Sequence, residues 1–598
     1  PFQQNLIWSG CYDGGLDVTD VNTGIARDVR VWPETQYGWK PADVKFRWHW
    51  NFPMVISQHT KGTVWVGSQF IHRTSNGGQS WEIISPDLTT ADPSRMDNSG
   101  GIANDNLNTW DGCTTLNMAE SPVKAGTLWV GTNDGLLHVT TDGGKNWINV
   151  TKNITGLPKD GTVSCIEASY FDAKTCYVSY RMNYIGDTRS YIYKTTDLGS
   201  TWTKVTGDIP QNALSTIFQI KEDPAVKGLL YAGTDNGLYF SHNDGKNWTR
   251  LKNNLPPAPV YGIAVQNHFG DLVIGTYGRG FYILDDLTPI REWTKQSQEK
   301  ANHLFSVRPA YRFQKLQGTH AENGSFPGQN PTYGAMINYY QKDTLSIAAI
   351  IAVLDMNGDT VKKYPTINKT GIFRANWDLR GEPAKLPVLS TKPRGIEWLE
   401  MNKDEKRTIY PWDLDMQPGL NAPLVPPGKY RIQYIAGQKV QEQIVEVRKD
   451  PNLSNSPGDI RKQYDFGVKL NQDIKATVRL IEQIEKQRKA LLDAITSEKS
   501  ESKKQELIQL EEQLYQFESG LFDIRQTGAR QDNFRNPVGI LERFLAIGKE
   551  LIMSSGDYPP TNQQVEVYEL TNKKLNSILE AHKKLMTSKE WKAADGKP

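Results

Sequence analysis

The sequence predicts a mainly β chain: a β-propeller over residues 1–292, an immunoglobulin/fibronectin-like β-sandwich over 303–448, and a C-terminal α-helical bundle over 457–590. Three observations carry this prediction. An eight-residue pattern recurs four times in the first half, at Thr74–Trp81, Thr140–Trp147, Thr195–Trp202 and Ser241–Trp248. After about Glu299 the pattern stops, although strand-like runs continue. Beyond Pro457 apolar residues fall at helical spacing between charged ones.

The octet runs hydroxyl residue, any, Asp or Asn, any, Gly, any, Ser/Thr/Asn, Trp, which is the chemistry of a tight hairpin. A short Asp or Asn side chain hydrogen-bonds backbone amides just ahead of it, Gly tolerates positive φ, and Trp closes the turn as an apolar plug. Asn76, Trp81, Asp142, Trp147, Asp197, Trp202, Asn243 and Trp248 are therefore assigned structural roles. Apolar runs broken by Gly precede the octets, as in Thr63–Gly67, Thr127–Gly131 and Leu229–Gly233, and a second short run leads into the turn. Two more strand pairs lack the octet, Asn5–Gly10 with Gly15–Val18 and Asp271–Gly275 with Gly280–Leu284. Successive octet Trp residues are 66, 55 and 46 positions apart. That spacing fits blades of roughly 40–50 residues, some carrying insertions. About six units result, in a ring expected to be incomplete. The largest insertion spans Ser85 to Asn108. With Pro1 first, the chain reads as processed or as a fragment.

For the sandwich the cues are Ile350–Leu354, the turn Asp355–Asp359, the strand Ile372–Trp377, and Pro427-Gly428-Lys429-Tyr430 opening a late strand that precedes Gln443–Val447. Pro383 to Leu424 is polar and Pro-rich. It reads as a solvated loop, with a contact surface as the alternative. In the bundle, Ile474, Val478, Ile481, Ile484, Leu491 and Ile495 share one helical face; Leu507, Leu510, Leu514 and Phe517 continue after a polar break, and further helices are expected near Pro537–Met553 and Thr561–Met586.

Composition excludes several classes. Lys+Arg number 69 against Asp+Glu 67, so no basic field exists to draw in nucleic acid. No apolar run approaches the roughly 20 residues of a membrane helix. Four cysteines make no disulfide framework: Cys165 and Cys176 flank one hairpin, with a bridge the less favoured reading, and Cys11 and Cys113 are expected to be buried.

The octet is similar to the Asp-box, or BNR repeat, of sialidases, xyloglucan hydrolases and the sortilin ectodomain. The wider wording resembles large bacterial secreted BNR/sortilin-like proteins. Trp48–Pro53, Ser85–Thr89, Glu120-Ser121-Pro122, Tyr193–Asp197, Lys252–Pro256 and Gly275–Gly280 running to Leu287 carry that likeness. The resemblance implies a location outside the cell, in the bacterial periplasm or on the outer surface. It also implies that the octets lie on outer hairpins, away from any ligand face.

The search for chemistry is mostly negative. A glycosidase needs two carboxylates facing a sugar cleft, and Asp111, beside Trp110 at the end of the large insertion, is the catalytic candidate. Asp285 and Asp286 form another acidic spot, with turn roles favoured. Arg47, Arg73 and Arg279 match no sialidase arginine triad. The nine His show no metal-ligand spacing, so no metal and no cofactor are expected. Trp39, Trp48, Trp50 and Trp110 lie outside the octets; Trp48, Trp50, Trp110 and Arg279 are the binding candidates. Two main readings of function remain, beside a weaker one in which the helices build larger homomeric assemblies. One is a non-catalytic recognition or assembly protein that binds a protein, peptide or polysaccharide, as a possible subunit of a surface complex. The other is a xyloglucanase-like glycoside hydrolase.

Overall fold

A computed structural model of the chain describes residues 2–106, 112–313, 328–407, 417–527, 532–553 and 556–594. The chain divides into two compact units, Pro1–Thr294 and Lys295–Pro598. It is mainly β, built from many small antiparallel sheets, with a helical region at its C-terminal end.

Six consecutive meanders make up the first unit. The first sheet holds Leu6–Cys11, Gly15–Asp20 and Ile25–Asp28, and the sixth Val260–Gln266, Asp271–Thr276 and Gly280–Leu284. The four sheets between them have four strands each and begin at Met54, Thr115, Thr162 and Ile217. This arrangement is consistent with a β-propeller. Five cores join the six sheets in succession. Leu16, Val18 and Val66 link the first to the second; Trp65, Met118 and Val130 the second to the third; Trp129, Val163 and Val178 the third to the fourth. Tyr177, Ile192 and Ile217 link the fourth to the fifth, and Tyr231, Ile263 and Ile274 the fifth to the sixth. Among the described residues no core joins the first sheet to the sixth.

Each octet connects the third strand of its sheet to the fourth and closes on itself. In the second octet Thr140 Oγ1 donates to Asp142 Oδ1 (2.8 Å) and accepts from Gly144 N (3.1 Å). Asp142 Oδ1 in turn accepts from Asn146 N (3.0 Å). The Asn146 side chain, donating to the carboxylate, holds Asp142 down at about 2. The octets also interlock neighbouring sheets. Trp81 Nε1 donates to Val29 O (2.8 Å), Trp147 Nε1 to Ile84 O (2.9 Å) and Trp248 Nε1 to Val205 O (3.2 Å), each acceptor lying just after the last strand of the preceding sheet. A Cβ on Gly144, at φ +97°, would stand 2.8 Å from Ile84 O, so glycine is required there by both conformation and contact.

All four cysteines are unbridged. Cys176 pairs across the hairpin with Ala168 and Cys165 with Ser179, so the register keeps the two thiols apart. Cys113 is buried, but Cys11 is exposed, contrary to expectation, because it ends a first-sheet strand whose last three residues are all exposed.

In the second unit a three-stranded sheet, ordered Asn302–Leu304, Ala335–Gln341, Gly371–Trp377, shares one core with a five-stranded sheet ordered Ala310–Tyr311, Lys439–Arg448, Gly428–Ala436, Ile350–Leu354, Thr360–Pro365. Ile337, Tyr339 and Trp377 from one sheet meet Ile351, Ile432 and Val445 from the other. Four long helices follow: α1 (Pro457–Ser497), α2 (Glu501–Leu521), α3 (Ile540–Met553) and α4 (Asn562–Met586). Capping boxes start α1 (Ser456 with Asp459) and α4 (Thr561 with Gln564). Among the described residues no helix is long and apolar enough to cross a membrane.

The polar insertion of 383–424 is not a solvated loop. Its described part is a strap docked on the helices, with Ala384 and Leu389 in the helical core. Thr391 donates through N and Oγ1 to Glu485 of α1 (both 2.8 Å), and Arg407 donates to Gln526 O (2.6 Å) and Ile524 O (2.9 Å). Beneath the strap Arg488 bonds Glu511 (2.9 Å) and Glu518 (2.7 Å), all three buried. Burial, with Glu485 alongside, pushes the Glu518 carboxyl well up, while the Arg488 guanidinium opposes the shift.

Candidate functional site

Because strands in a meander alternate in direction, the start of each first strand and the turn between second and third strands lie at the end opposite the octets. Neighbouring sheets keep these ends together. Thr115, starting the third sheet, donates through N (2.8 Å) and Oγ1 (2.7 Å) to Ser68 O in the second sheet's turn. Thr162, starting the fourth, donates to Asn133 O in the third sheet's turn (2.8 Å). First strands of successive sheets also face one another.

At this end four sheets share a device. The register of the first strand slips between Thr115 and Asn117, Val163 and Cys165, Ile217 and Gln219, and Val260 and Gly262. Each slip is a β-bulge that leaves one residue unpaired and re-aims its side chain. The four residues so placed are Leu116, Ser164, Phe218 and Tyr261.

The last two make the most distinctive surface of the first unit. Phe218 and Tyr261 stack with ring centroids 4.0 Å apart and planes 17° from parallel. Tyr277, in the sixth sheet's turn, continues the row at 5.6 Å from Tyr261. Tyr261 is 47% exposed and Tyr277 73%, whereas Phe218 is the buried base of the stack. Arg181, at the end of a fourth-sheet strand, lies 4.9 Å from the ring of Tyr184, which is 62% exposed. The buried Arg181 Nε has no hydrogen-bond partner among the described residues. Burial pushes the Tyr261 phenol up, with Arg181 opposing and Asp235, Tyr184 and Tyr277 adding to the shift. The result is an aromatic row carrying phenol donors, on which both the Arg181 cation and the Asp235 carboxylate act.

The residues singled out from sequence are scattered. Trp48 is 2% exposed, sandwiched between Phe52, Phe46 and His72 and pressed on Gly14, so it presents no face to a ligand. Trp50 is exposed and packs on Tyr12 at 4.3 Å. Arg279 is exposed in the same turn as Tyr277. Trp110 and Asp111 lie outside the described residues. Arg47 is committed to Asp87 (2.7 Å) and Cys113 O (2.9 Å), and Arg73 to Glu82 (2.6 Å). Asp286 Oδ1 accepts from Thr288 N (3.1 Å) and Oγ1 (2.6 Å), and its own N–H donates to Asp271, a turn role. Phe218, Tyr261, Tyr184 and Arg181 were not singled out. The signal for two of them is an aromatic residue second in its strand, in Ile217-Phe218-Gln219 and Val260-Tyr261-Gly262.

Carboxyls that burial pushes upward lie elsewhere. Glu167 is at the opposite end of the fourth sheet's first strand and is paired with Lys221 at 2.6 Å; Glu518 and Glu542 belong to the helices. Asp187, at the platform end, is held well below the carboxylate range by Arg189. Among the described residues no group of three or more His, Cys, Asp or Glu could hold a metal.

No family model matches the chain. An oligoxyloglucan-reducing end-specific xyloglucanase of Emericella nidulans is 28% identical over 179 residues, 27% of this chain and 21% of that protein, so the chain spans about a fifth of this relative's length. Two solved structures have regions similar to this chain. One is a GH74 xyloglucanase from Xanthomonas campestris, with TM-score 0.35 and 13% identity over 73% of this chain and 77% of that one. The other is YCF48 bound to D1 peptide, with TM-score 0.30 and 14% identity over 51% and 83%.

Proposed function

We propose that this chain is a secreted or cell-surface recognition protein whose first unit is an Asp-box β-propeller that binds a polysaccharide chain without cleaving it. In this reading the unit spans residues 1–292 and resembles the sortilin ectodomain in architecture. The second unit supplies an immunoglobulin/fibronectin-like sandwich (303–448) and a helical bundle (457–590) that dock the protein into a surface complex. The observation that carries the binding reading is the Phe218–Tyr261–Tyr277 row. The exposed Tyr261 and Tyr277 rings, backed by buried Phe218, offer flat faces to the apolar faces of sugar rings and hydroxyls to the sugar's own. The test is isothermal titration of the full chain with a panel of β-glucan and xyloglucan oligosaccharides, run beside an assay for released reducing ends. Binding without release is expected, and Tyr261→Ala weakens it roughly 30-fold, the loss of about 2 kcal/mol typical of a central aromatic contact. Equal binding by Tyr261→Ala refutes the assignment of the platform, and a protein or peptide ligand becomes the next candidate.

The second reading is a glycoside hydrolase, favoured by the stretch of identity with the xyloglucanase. Asp111 would serve as one of two paired carboxylates, their separation setting the stereochemical outcome. Release of reducing ends that disappears in Asp111→Asn would establish it.

A further inference from the structure

A cavity of about 590 Å³ opens within the second unit, between α2, the segment after it, α3 and α4. Three of these elements each contribute one cation to its wall: Arg525 from the segment after α2, Arg543 from the first turn of α3, and Lys574 from α4. No carboxylate among the described residues lines it. Arg525 reaches Asp523 only loosely, at 3.5 Å, and that carboxylate already accepts from Arg525 N (3.1 Å) and Asn536 Nδ2 (3.1 Å). Neither Arg543 nor Lys574 has a carboxylate partner among the described residues. The rest of the wall mixes the Ser577 hydroxyl with apolar Val538 and Ile540.

Arg525, Arg543 and Lys574 are solvent-exposed, so water screens their mutual repulsion, and together they make the wall of this space attractive to an anion. Glu542, adjacent in sequence to Arg543, does not serve. It is buried and spent on Asp523 N (2.9 Å), Gln526 Nε2 (3.3 Å) and Gly539 N (3.0 Å), and burial pushes its carboxyl up to about 7. The Gly539 bond also means that this backbone amide at the start of α3 is already occupied, so the attraction rests on the side-chain cations. A guanidinium fork matches two oxygens of an oxyanion. Cations on three separate elements suit the three terminal oxygens of a tetrahedral group better than a planar carboxylate, which one Arg satisfies.

We propose that this cavity binds a small organic molecule bearing one phosphate or sulfate ester, held by Arg525, Arg543 and Lys574, with its organic part against Val538 and Ile540. The experiment is isothermal titration of the full chain, at constant ionic strength, with glucose 6-phosphate, glucose 6-sulfate, inorganic phosphate and inorganic sulfate. At least one ester binds with Kd below about 1 mM and about tenfold more tightly than its inorganic ion, and the Arg525→Gln/Arg543→Gln/Lys574→Gln variant weakens it at least about tenfold. The stronger of the two esters identifies the source of the oxyanion. Failure of both esters, equal affinity for ester and inorganic ion, or unchanged binding by the triple variant overturns the proposal. If the triple variant does not fold by circular dichroism, Lys574→Gln alone, at an exposed position of α4, is expected to weaken binding at least about threefold. Unchanged affinity in that variant overturns the proposal as well.

Discussion

Glu542 ties the stability of the helical region to pH in a direction opposite to that of most carboxylates. Its side chain is buried against the start of α3, accepting three hydrogen bonds, and burial raises its carboxyl from 4.5 to about 7. A raised carboxyl keeps its proton in the folded chain after the unfolded chain has lost it. Between pH 4.5 and about 7 the folded state therefore binds more protons, and stability falls as pH rises through that window and is level above it. At about 1.36 kcal/mol per pH unit the full excursion is about 3 kcal/mol. Denaturant unfolding of the full chain, followed at 222 nm from pH 4.5 to 8, measures it in the helical transition. Glu542→Gln keeps the shape and one acceptor oxygen but cannot ionise, so the difference between wild type and variant isolates this group. Wild type is expected to lose about 3 kcal/mol relative to Glu542→Gln from pH 4.5 to 7, and the two curves then run parallel. Parallel curves across the whole range would refute the reasoning.

Three further outcomes follow from particular contacts. Gly144→Ala sets a Cβ 2.8 Å from Ile84 O at positive φ and is expected to lower the melting temperature clearly more than Gly143→Ala, whose Cβ meets nothing within 4 Å and carries only the backbone strain of about 1–2 kcal/mol. Thr391→Val removes the hydroxyl that joins the strap to Glu485 and Arg488 and is expected to destabilise the second unit by about 1–3 kcal/mol, read by urea unfolding. Trp147→Phe keeps most of the ring but loses the bond to Ile84 O, with an expected cost of about 1 kcal/mol in the first unit's thermal transition.

What the sequence made legible is what local chemistry decides. The octet's bonds span two to four residues, from Thr140 to Asp142 and from Asp142 to Asn146, so eight consecutive letters contain the whole turn. Helix α1 likewise announces itself in the helical spacing of Ile474, Val478, Ile481 and Ile484, all of which are buried in the helical core. The strap was misread for the opposite reason: Thr391 and Glu485 are 94 residues apart, and a polar, Pro-rich segment has the same composition whether its polar groups meet water or a buried carboxylate. Trp48 stood out for its size, yet only the packing of Phe52, His72 and Gly14 around it shows that it is core. Bulges escape in the same way, since a one-residue slip is a property of two strands and leaves Ile217-Phe218-Gln219-Ile220 looking like any inner strand.

The two ends of the sheets in the first unit divide their work on physical grounds. At the octet end the octet side chains bond within the turn, three of the four Trp residues also bond the preceding sheet, and a Cβ added at Gly78, Gly144, Gly199 or Gly245 would strike that neighbour. Little there can change without loosening the interlock. At the other end the bulged residues are excused from cross-strand pairing, so Leu116, Ser164, Phe218 and Tyr261 differ widely in size and polarity on equivalent backbones. Tyr261 stacks on Phe218 and is about half exposed, so its replacement changes the surface far more than it changes the cores. The sheet order and the octets therefore hold the aromatic row in place, while the choice of residue at each bulge sets the surface presented there.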